Sequence, residues 1–292
     1  MPFNFQTFKQ RTLTSIVFVL VMLCGLLINH WTFFILFSII HFGCWIEYQK
    51  LIGLIDADYR TVSSLHRNII MLLGWSFMLF MTNNAYRIGN ISLHGIGWYG
   101  SMLFTIIFCL NEIVLKKILN IKVISYSLFG LVYISLCWGL MMGLQNTSSL
   151  FPFNFTLANP GFVIPVVLIA SIWINDTMQY LVGSFIGKTP FSKISPKKTW
   201  EGTIGGSILC IVVVSLVGNK FLGLSWQLVI GISSIAAIMG TLGDLFESKL
   251  KRLANVKDSG NIMPGHGGFL DRFDSLLIAT PFVWLYFYFF IY

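Results

Sequence analysis

Long apolar runs separated by short polar connections organise this chain. A membrane-spanning helix needs about 20 mainly apolar residues. The hydrophobic pattern places spans at 12–28, 31–46, 69–82, 98–114, 124–143, 161–181, 204–218, 225–243 and 275–291, the third and seventh being short. It predicts an all-α fold, a polytopic integral membrane protein with about nine transmembrane helices and a polar cavity facing the cytoplasm. Residues 1–292 read as a single membrane-embedded domain. Within it 1–160 is mainly an amino-terminal helical scaffold, and 161–292 carries the candidate phosphate- and metal-binding motifs.

Composition agrees with the pattern. Hydrophobic residues make up 56% of the chain and charged residues 10%, a balance that excludes an ordinary soluble domain. The first apolar run follows Lys9 and Arg11 and lacks a small-residue cleavage site, so it reads as a permanent span rather than a removed signal peptide. Cys24, Cys44, Cys109, Cys137 and Cys210 stand isolated in or beside apolar runs, with neither a disulfide framework nor zinc spacing.

The net charge of +8 points to topology rather than nucleic acid, because the basic residues lie between the spans. With a cytoplasmic amino terminus, all 19 Lys and Arg residues except Arg87 and Lys220 fall on the inner side. The bias places the amino terminus and the basic loops in the cytoplasm and the carboxyl terminus in the periplasm, and the compact chain makes a bacterial inner membrane the expected location.

The amino-terminal half offers little chemistry. Trp31, Tyr86, Trp98 and Tyr99 fit interfacial anchoring, and His30 and His41 fit packing. Residues 47–67 read as a charged cytoplasmic connection, with Asp56 and Asp58 in a solvated turn. Glu112 lies four residues before Lys116, the spacing of a helix-surface ion pair.

Ionised groups concentrate in 240–275. If 240–253 is helical, Asp244, Glu247, Ser248, Lys251 and Arg252 share one face. The run Pro264-Gly265-His266-Gly267-Gly268 breaks regular structure and allows close approach to a ligand; Asp271 and Asp274 follow at i,i+3. Asp244, Asp271 and Asp274 form a candidate oxygen-ligand set for Mg²⁺, which commonly also holds substrate phosphates. Upstream, Asp176 lies near the inner end of an apolar span, where an ionised group is costly unless paired or hydrated. In Ser195-Pro196-Lys197-Lys198-Thr199-Trp200-Glu201-Gly202, proline and glycine set the path while the lysines and hydroxyls suit phosphate oxygens. Gly202, Gly205 and Gly206 favour close helix packing and are not followed by the Lys-Ser/Thr pair of a P-loop.

The ordered run Ser248-Lys249-Leu250-Lys251-Arg252, Lys257-Asp258-Ser259-Gly260 and 264–274 resembles the signature of the phosphatidate cytidylyltransferases, or CDP-diacylglycerol synthases. Residues 195–202 match a second motif of that family. Met178 and Gln179 depart from it, standing where the commoner pattern has a small Gly-Ala pair before Tyr180.

The resemblance implies a membrane enzyme of phospholipid biosynthesis that converts CTP and phosphatidic acid to CDP-diacylglycerol and pyrophosphate. It implies catalytic roles for Asp244, Asp271, Lys198 and Arg272. Substrate binding falls to Asp176, Ser195, Lys197, Lys198, Thr199, Ser248, Lys251 and His266. The cofactor is Mg²⁺ on Asp244, Asp271 and Asp274, with room for a second divalent cation or a monovalent one such as K⁺. His266 is expected to position phosphate rather than act as a base, because a phosphate monoester, with a second pKa of about 6, is already largely deprotonated near neutrality. Membrane phospholipids are expected partners, nucleic acid is not, and a homodimer is left open. Three alternatives remain: a membrane phosphate or nucleotide transporter, for which no clear internal repeat speaks; a non-catalytic phosphatidate-binding protein; and an enzyme that consumes a CDP-linked lipid.

Overall fold

The structure, a computed structural model, describes residues 5–115, 119–148, 160–192, 194–261 and 267–291. Its principal elements are the helices α1 (Phe5–Leu27), α2 (His30–Ile55), α3 (Ala57–Arg60), α4 (Ser64–Phe80), α5 (Leu93–Leu110), α6 (Ile121–Gly130), α7 (Cys137–Ser148), α8 (Val163–Ile186), α9 (Trp200–Leu222), α10 (Trp226–Leu253) and α11 (Leu270–Tyr286). Short π-helical turns extend α5 and α11 and join α6 to α7. A small antiparallel hairpin pairs β1 (Arg87–Ile88) with β2 (Ile91–Ser92). Each apolar segment predicted from the sequence falls on a helix. Among the described residues, seven helices are long and apolar enough to cross a membrane, and Thr12–Leu27 is a shorter apolar one. The fold is all-α and polytopic.

Side-chain caps place the helix starts. Asn29 and Thr32 form a reciprocal capping box at α2, with Thr32 N–H donating to Asn29 Oδ1 at 2.9 Å. Ser63, Ser92, Asn120 and Thr199 cap α4, α5, α6 and α9 in the same manner, each accepting a first-turn amide. Gly223 ends α9 in the left-handed region, at φ 63°, which glycine adopts without steric cost.

The chain forms two compact units, one of Met1–Gly139 with Leu253–Arg272, the other of Leu140–Arg252 with Phe273–Tyr292. The first unit has a core rich in aromatic side chains, including Phe33, Phe37, Trp45, Tyr48 and Trp138, and two buried histidines in it are tied to polar side chains. Ser135 Oγ accepts from Trp45 Nε1 at 2.9 Å and lies 3.0 Å from His41 Nε2, so His41 is a core residue tied to a hydroxyl. The buried His66 bridges Glu112 Oε1 at 2.6 Å and Ser127 Oγ at 2.7 Å, while Asn111 donates to the same Glu112 oxygen. Glu112 therefore faces the interior rather than the helix surface; Lys116 lies outside the described residues.

The connection predicted over 47–67 is also different in the structure. Helix α2 continues to Ile55, so Glu47 is a buried helical residue. Asp56 is buried as the cap of α3 and pairs with Lys122, which holds its carboxyl below the usual carboxylate range. Asp58 alone of that pair is exposed.

In the second unit α8 packs closely on α9 through glycines. A Cβ on Gly206 would stand 2.4 Å from the backbone nitrogen of Gln179, and one on Gly202 would stand 2.7 Å from Gly183 Cα. Small residues let helix backbones approach this closely. Gln179 itself is buried and donates to Thr241 Oγ1 on α10 at 2.8 Å, which accounts for the polar amide at this position.

Close helix approach is testable in the first unit. A Cβ on Gly97 of α5 would lie 2.1 Å from Phe80 N, whereas one on Gly53 of α2 would meet nothing nearer than 3.5 Å. Gly97→Ala is expected to lower stability by about 1–3 kcal/mol through overpacking, and Gly53→Ala to have little effect. Thermal unfolding in detergent micelles reads the difference; equal midpoints would contradict the close α4–α5 packing.

Candidate active site

Helix α10 carries the charged face that its sequence predicts. Glu247 is fully buried and pairs with Lys251 one turn later. One turn before it, Asp244 is half-buried and pairs with Lys198, which arrives from the loop between α8 and α9. Asp176 on α8 is within electrostatic range of both Lys198 and Asp244. Asp274, buried on α11, interacts electrostatically with Asp244, Glu247 and Asp176. Ser248 is half-buried on the same helix.

The second unit thus draws together residues far apart in sequence: Asp176, Lys198, Asp244, Glu247, Lys251 and Asp274. Four carboxylates meet two ammonium groups. Such a surplus of negative charge in a partly desolvated site is costly without a further cation. All the donors are oxygens, as a hard cation requires. Among the described residues, however, no three His, Cys, Asp or Glu side chains are gathered closely enough to hold a metal ion on their own. A cation here would need oxygens from another source as well.

The loop that delivers Lys198 is a tight hairpin. Trp200 N–H donates to Thr189 O at 2.9 Å, Phe191 N–H to Lys198 O at 2.8 Å, and Lys198 N–H to Ser195 O at 3.1 Å. Phe191 and Trp200 rings pack with centroids 4.4 Å apart. Glu201, in the first turn of α9, accepts from the backbone N–H groups of Lys188 and Thr189, each at 3.1 Å, and from the Thr189 hydroxyl at 2.7 Å. Thr199 spends its hydroxyl on the cap of α9, accepting from Gly202 N–H at 3.2 Å. Lys197 is exposed and Ser195 half-buried beside it.

A second polar cluster lies within the first unit. Asp271, in the first turn of α11, accepts through Oδ2 from Ser259 N–H and Gly268 N–H, both at 2.8 Å, and Ser259 Oγ lies 2.9 Å from the same oxygen. The Ser259 hydroxyl is also 2.6 Å from Glu47 Oε2. Arg272 is exposed. Of the three carboxylates grouped by sequence as metal ligands, Asp244 and Asp274 lie in the second unit and Asp271 in the first, one helical turn before Asp274. His266 lies outside the described residues. Sequence reasoning missed two participants. Glu247, placed by its spacing on the polar face, is a buried partner of Lys251; Glu47, which the pattern puts in a charged cytoplasmic connection, is a buried helical residue.

The sequence matches the cytidylyltransferase family over residues 9–290. The phosphatidate cytidylyltransferase of Bacillus subtilis (strain 168) is 32% identical over 281 residues, covering 94% of this chain and 96% of its own length. The phosphatidate cytidylyltransferase of Staphylococcus aureus (strain COL) is 36% identical over 167 residues, 56% of this chain and 63% of its own length. That of Staphylococcus epidermidis (strain RP62A) is 36% identical over 168 residues, with the same coverage.

Glu201→Gln tests whether its carboxylate holds the hairpin. Hydrogen bonds to a charged group contribute about 1.5–3 kcal/mol, so limited trypsin cleavage after Lys188, Lys197 and Lys198 is expected to accelerate about tenfold. The unfolding midpoint should move little. Unchanged cleavage would contradict the role.

Proposed function

We propose, from the premise that this chain belongs to the cytidylyltransferase family, that it transfers the cytidylyl group of CTP to phosphatidic acid, forming CDP-diacylglycerol and pyrophosphate. The observation that carries the site is the pairing of Lys198 with Asp244. It ties the motif on the α8–α9 hairpin to the polar face of α10 that leads into the signature, and Asp274, the last residue of that signature, interacts electrostatically with Asp244.

No covalent enzyme intermediate is required. A phosphate oxygen of phosphatidic acid attacks the α-phosphorus of CTP and forms a new P–O bond. The bond from that phosphorus to the oxygen bridging to the β-phosphate breaks, and pyrophosphate leaves with the electron pair. The protein's contribution is to hold two anionic phosphates in line and to oppose their repulsion. Lys198, Lys197 and Lys251 supply positive charge; Ser195 and Ser248 supply hydroxyl donors. Lys198 exchanges its bond to Asp244 for phosphate oxygen as substrate arrives. Asp176 keeps the hairpin lysine oriented. Arg272 is retained as a phosphate-binding group and Asp271 as a metal-serving carboxylate on the strength of the signature in which they stand.

Mg²⁺ fits the donor chemistry of the second unit, with Asp244 and Asp274 as ligands and substrate phosphates completing its shell, as is usual for this ion. When bound it would neutralise phosphate charge and polarise the reacting phosphorus. A second divalent cation or K⁺ would be accommodated by the remaining negative charge of Asp176 and Glu247. The membrane helices place the protein in a lipid bilayer. The bias of basic residues supports a cytoplasmic amino terminus and hairpin, where CTP is available, and the compact chain supports a bacterial inner membrane. Transport and simple lipid binding leave the lysine–carboxylate pair and the two motifs without a role.

Reactions in mixed lipid-detergent micelles with CTP, phosphatidic acid and Mg²⁺ test the assignment. Asp244→Asn and Lys198→Met are each expected to lower CDP-diacylglycerol formation about 100-fold or more, while the unfolding midpoint stays within a few degrees. Full activity in either folded variant would remove that residue from the site.

A further inference from the structure

Glu47 belongs to no motif, yet its side chain reaches the signature across more than two hundred residues of sequence. Oε1 accepts from Phe269 N–H at 2.9 Å, and Oε2 accepts from Leu270 N–H at 2.9 Å and from the Ser259 hydroxyl at 2.6 Å. These two amides open α11, where first-turn N–H groups have no intrahelical acceptor. A buried carboxylate satisfies them and complements the positive end of the helix.

The glycines of the signature fit around this carboxylate. A Cβ on Gly260 would stand 2.2 Å from Glu47 Oε1, and one on Gly268 would stand 2.2 and 2.3 Å from the two oxygens. One turn earlier on α2, a Cβ on Gly43 would lie 2.1 Å from the Phe269 ring. Gly43 and Glu47, at i and i+4, form one face of α2 that receives the Phe269 backbone and ring together. Both carboxylate oxygens take protein donors, and amide protons point inward, so this is no place for a cation.

Ser259 links Glu47 to chemistry. Its hydroxyl lies 2.6 Å from Glu47 Oε2 and 2.9 Å from Asp271 Oδ2, and its N–H also donates to Asp271. Asp271 is therefore held by a serine and a glycine loop that Glu47 anchors from another helix.

We propose that Glu47 is a positioning residue for cytidylyl transfer: it fixes the start of α11 and Ser259, and through them the carboxylate of Asp271. This rests on the reaction assigned above and on Asp271 serving the metal. Groups that orient a metal-serving carboxylate change metal affinity or activity by about 10- to 100-fold when removed.

The test uses full-length purified protein and Glu47→Ala, Glu47→Gln and Ser259→Ala. The first readout is hydrogen exchange of the 267–271 amides without Mg²⁺ or substrate; the second is the Mg²⁺ concentration giving half-maximal CDP-diacylglycerol synthesis. Glu47→Ala is expected to accelerate exchange at Phe269 and Leu270 and to raise the half-maximal Mg²⁺ concentration about tenfold or more. Glu47→Gln keeps one acceptor but turns an NH₂ toward the other donors, so it should fall between. If Glu47→Ala does not fold, Ser259→Ala decides, with a smaller shift in the same direction. A loss of folded protein alone lowers turnover without moving the Mg²⁺ midpoint. Unchanged exchange, or reduced turnover with an unchanged midpoint, would overturn the proposal. A wild-type protein forming no CDP-diacylglycerol would sink the assigned reaction and this role with it, whereas product formation with an unmoved midpoint would sink this role alone.

Discussion

Charge inside a membrane protein must be compensated where it sits, because water and salt cannot screen it there. That constraint explains why the buried acidic groups of this chain have polar or charged partners. Lys198 meets Asp244, Lys251 meets Glu247, and Lys122 meets Asp56. Glu112 is met by His66 and Asn111, and Glu47 by two amides and a hydroxyl. The exception in balance is the cluster around Asp274, where carboxylates outnumber lysines. A binding site for a cation and for phosphate-bearing ligands is the natural use of such an imbalance.

Much of this was legible from local pattern. A span needs a long apolar run, so hydropathy located the apolar helices but not the short α3, and the i,i+3 and i,i+4 spacing of charges on α10 foretold its polar face. What local pattern lacks is the identity of distant partners. Glu47 follows directly on an apolar run, as a residue leaving the membrane would, and nothing nearby marks it as buried. Its partners Ser259, Phe269 and Leu270 come from the far end of the chain. The available signal was indirect: the crowding of Gly260 and Gly268 in the signature implies something bulky against the backbone, and that object is the Glu47 carboxylate. Asp56 misled for a similar reason, since a cap and a solvated turn share the same residue type.

Gln179 shows how a departure from family pattern can be absorbed. A larger polar residue where a small one is common demands both space and a hydrogen-bond partner. Gly206 supplies the space and Thr241 the partner, linking α8 to α9 and α10 beneath Asp176 and Asp244. The site therefore rests on packing by glycine on one side and a buried amide on the other. Asp176, Asp244 and Asp274 are held by helices, and only Lys198 comes from the hairpin.

The most direct test of cytidylyl transfer follows the phosphorus atoms of CTP. With phosphatidic acid, Mg²⁺ and the purified protein, α-labelled CTP is predicted to pass its label into the lipid phase as CDP-diacylglycerol, while γ-label leaves in water as pyrophosphate. Label remaining in intact CTP, α-label released as CMP, or γ-label appearing in lipid would contradict the account.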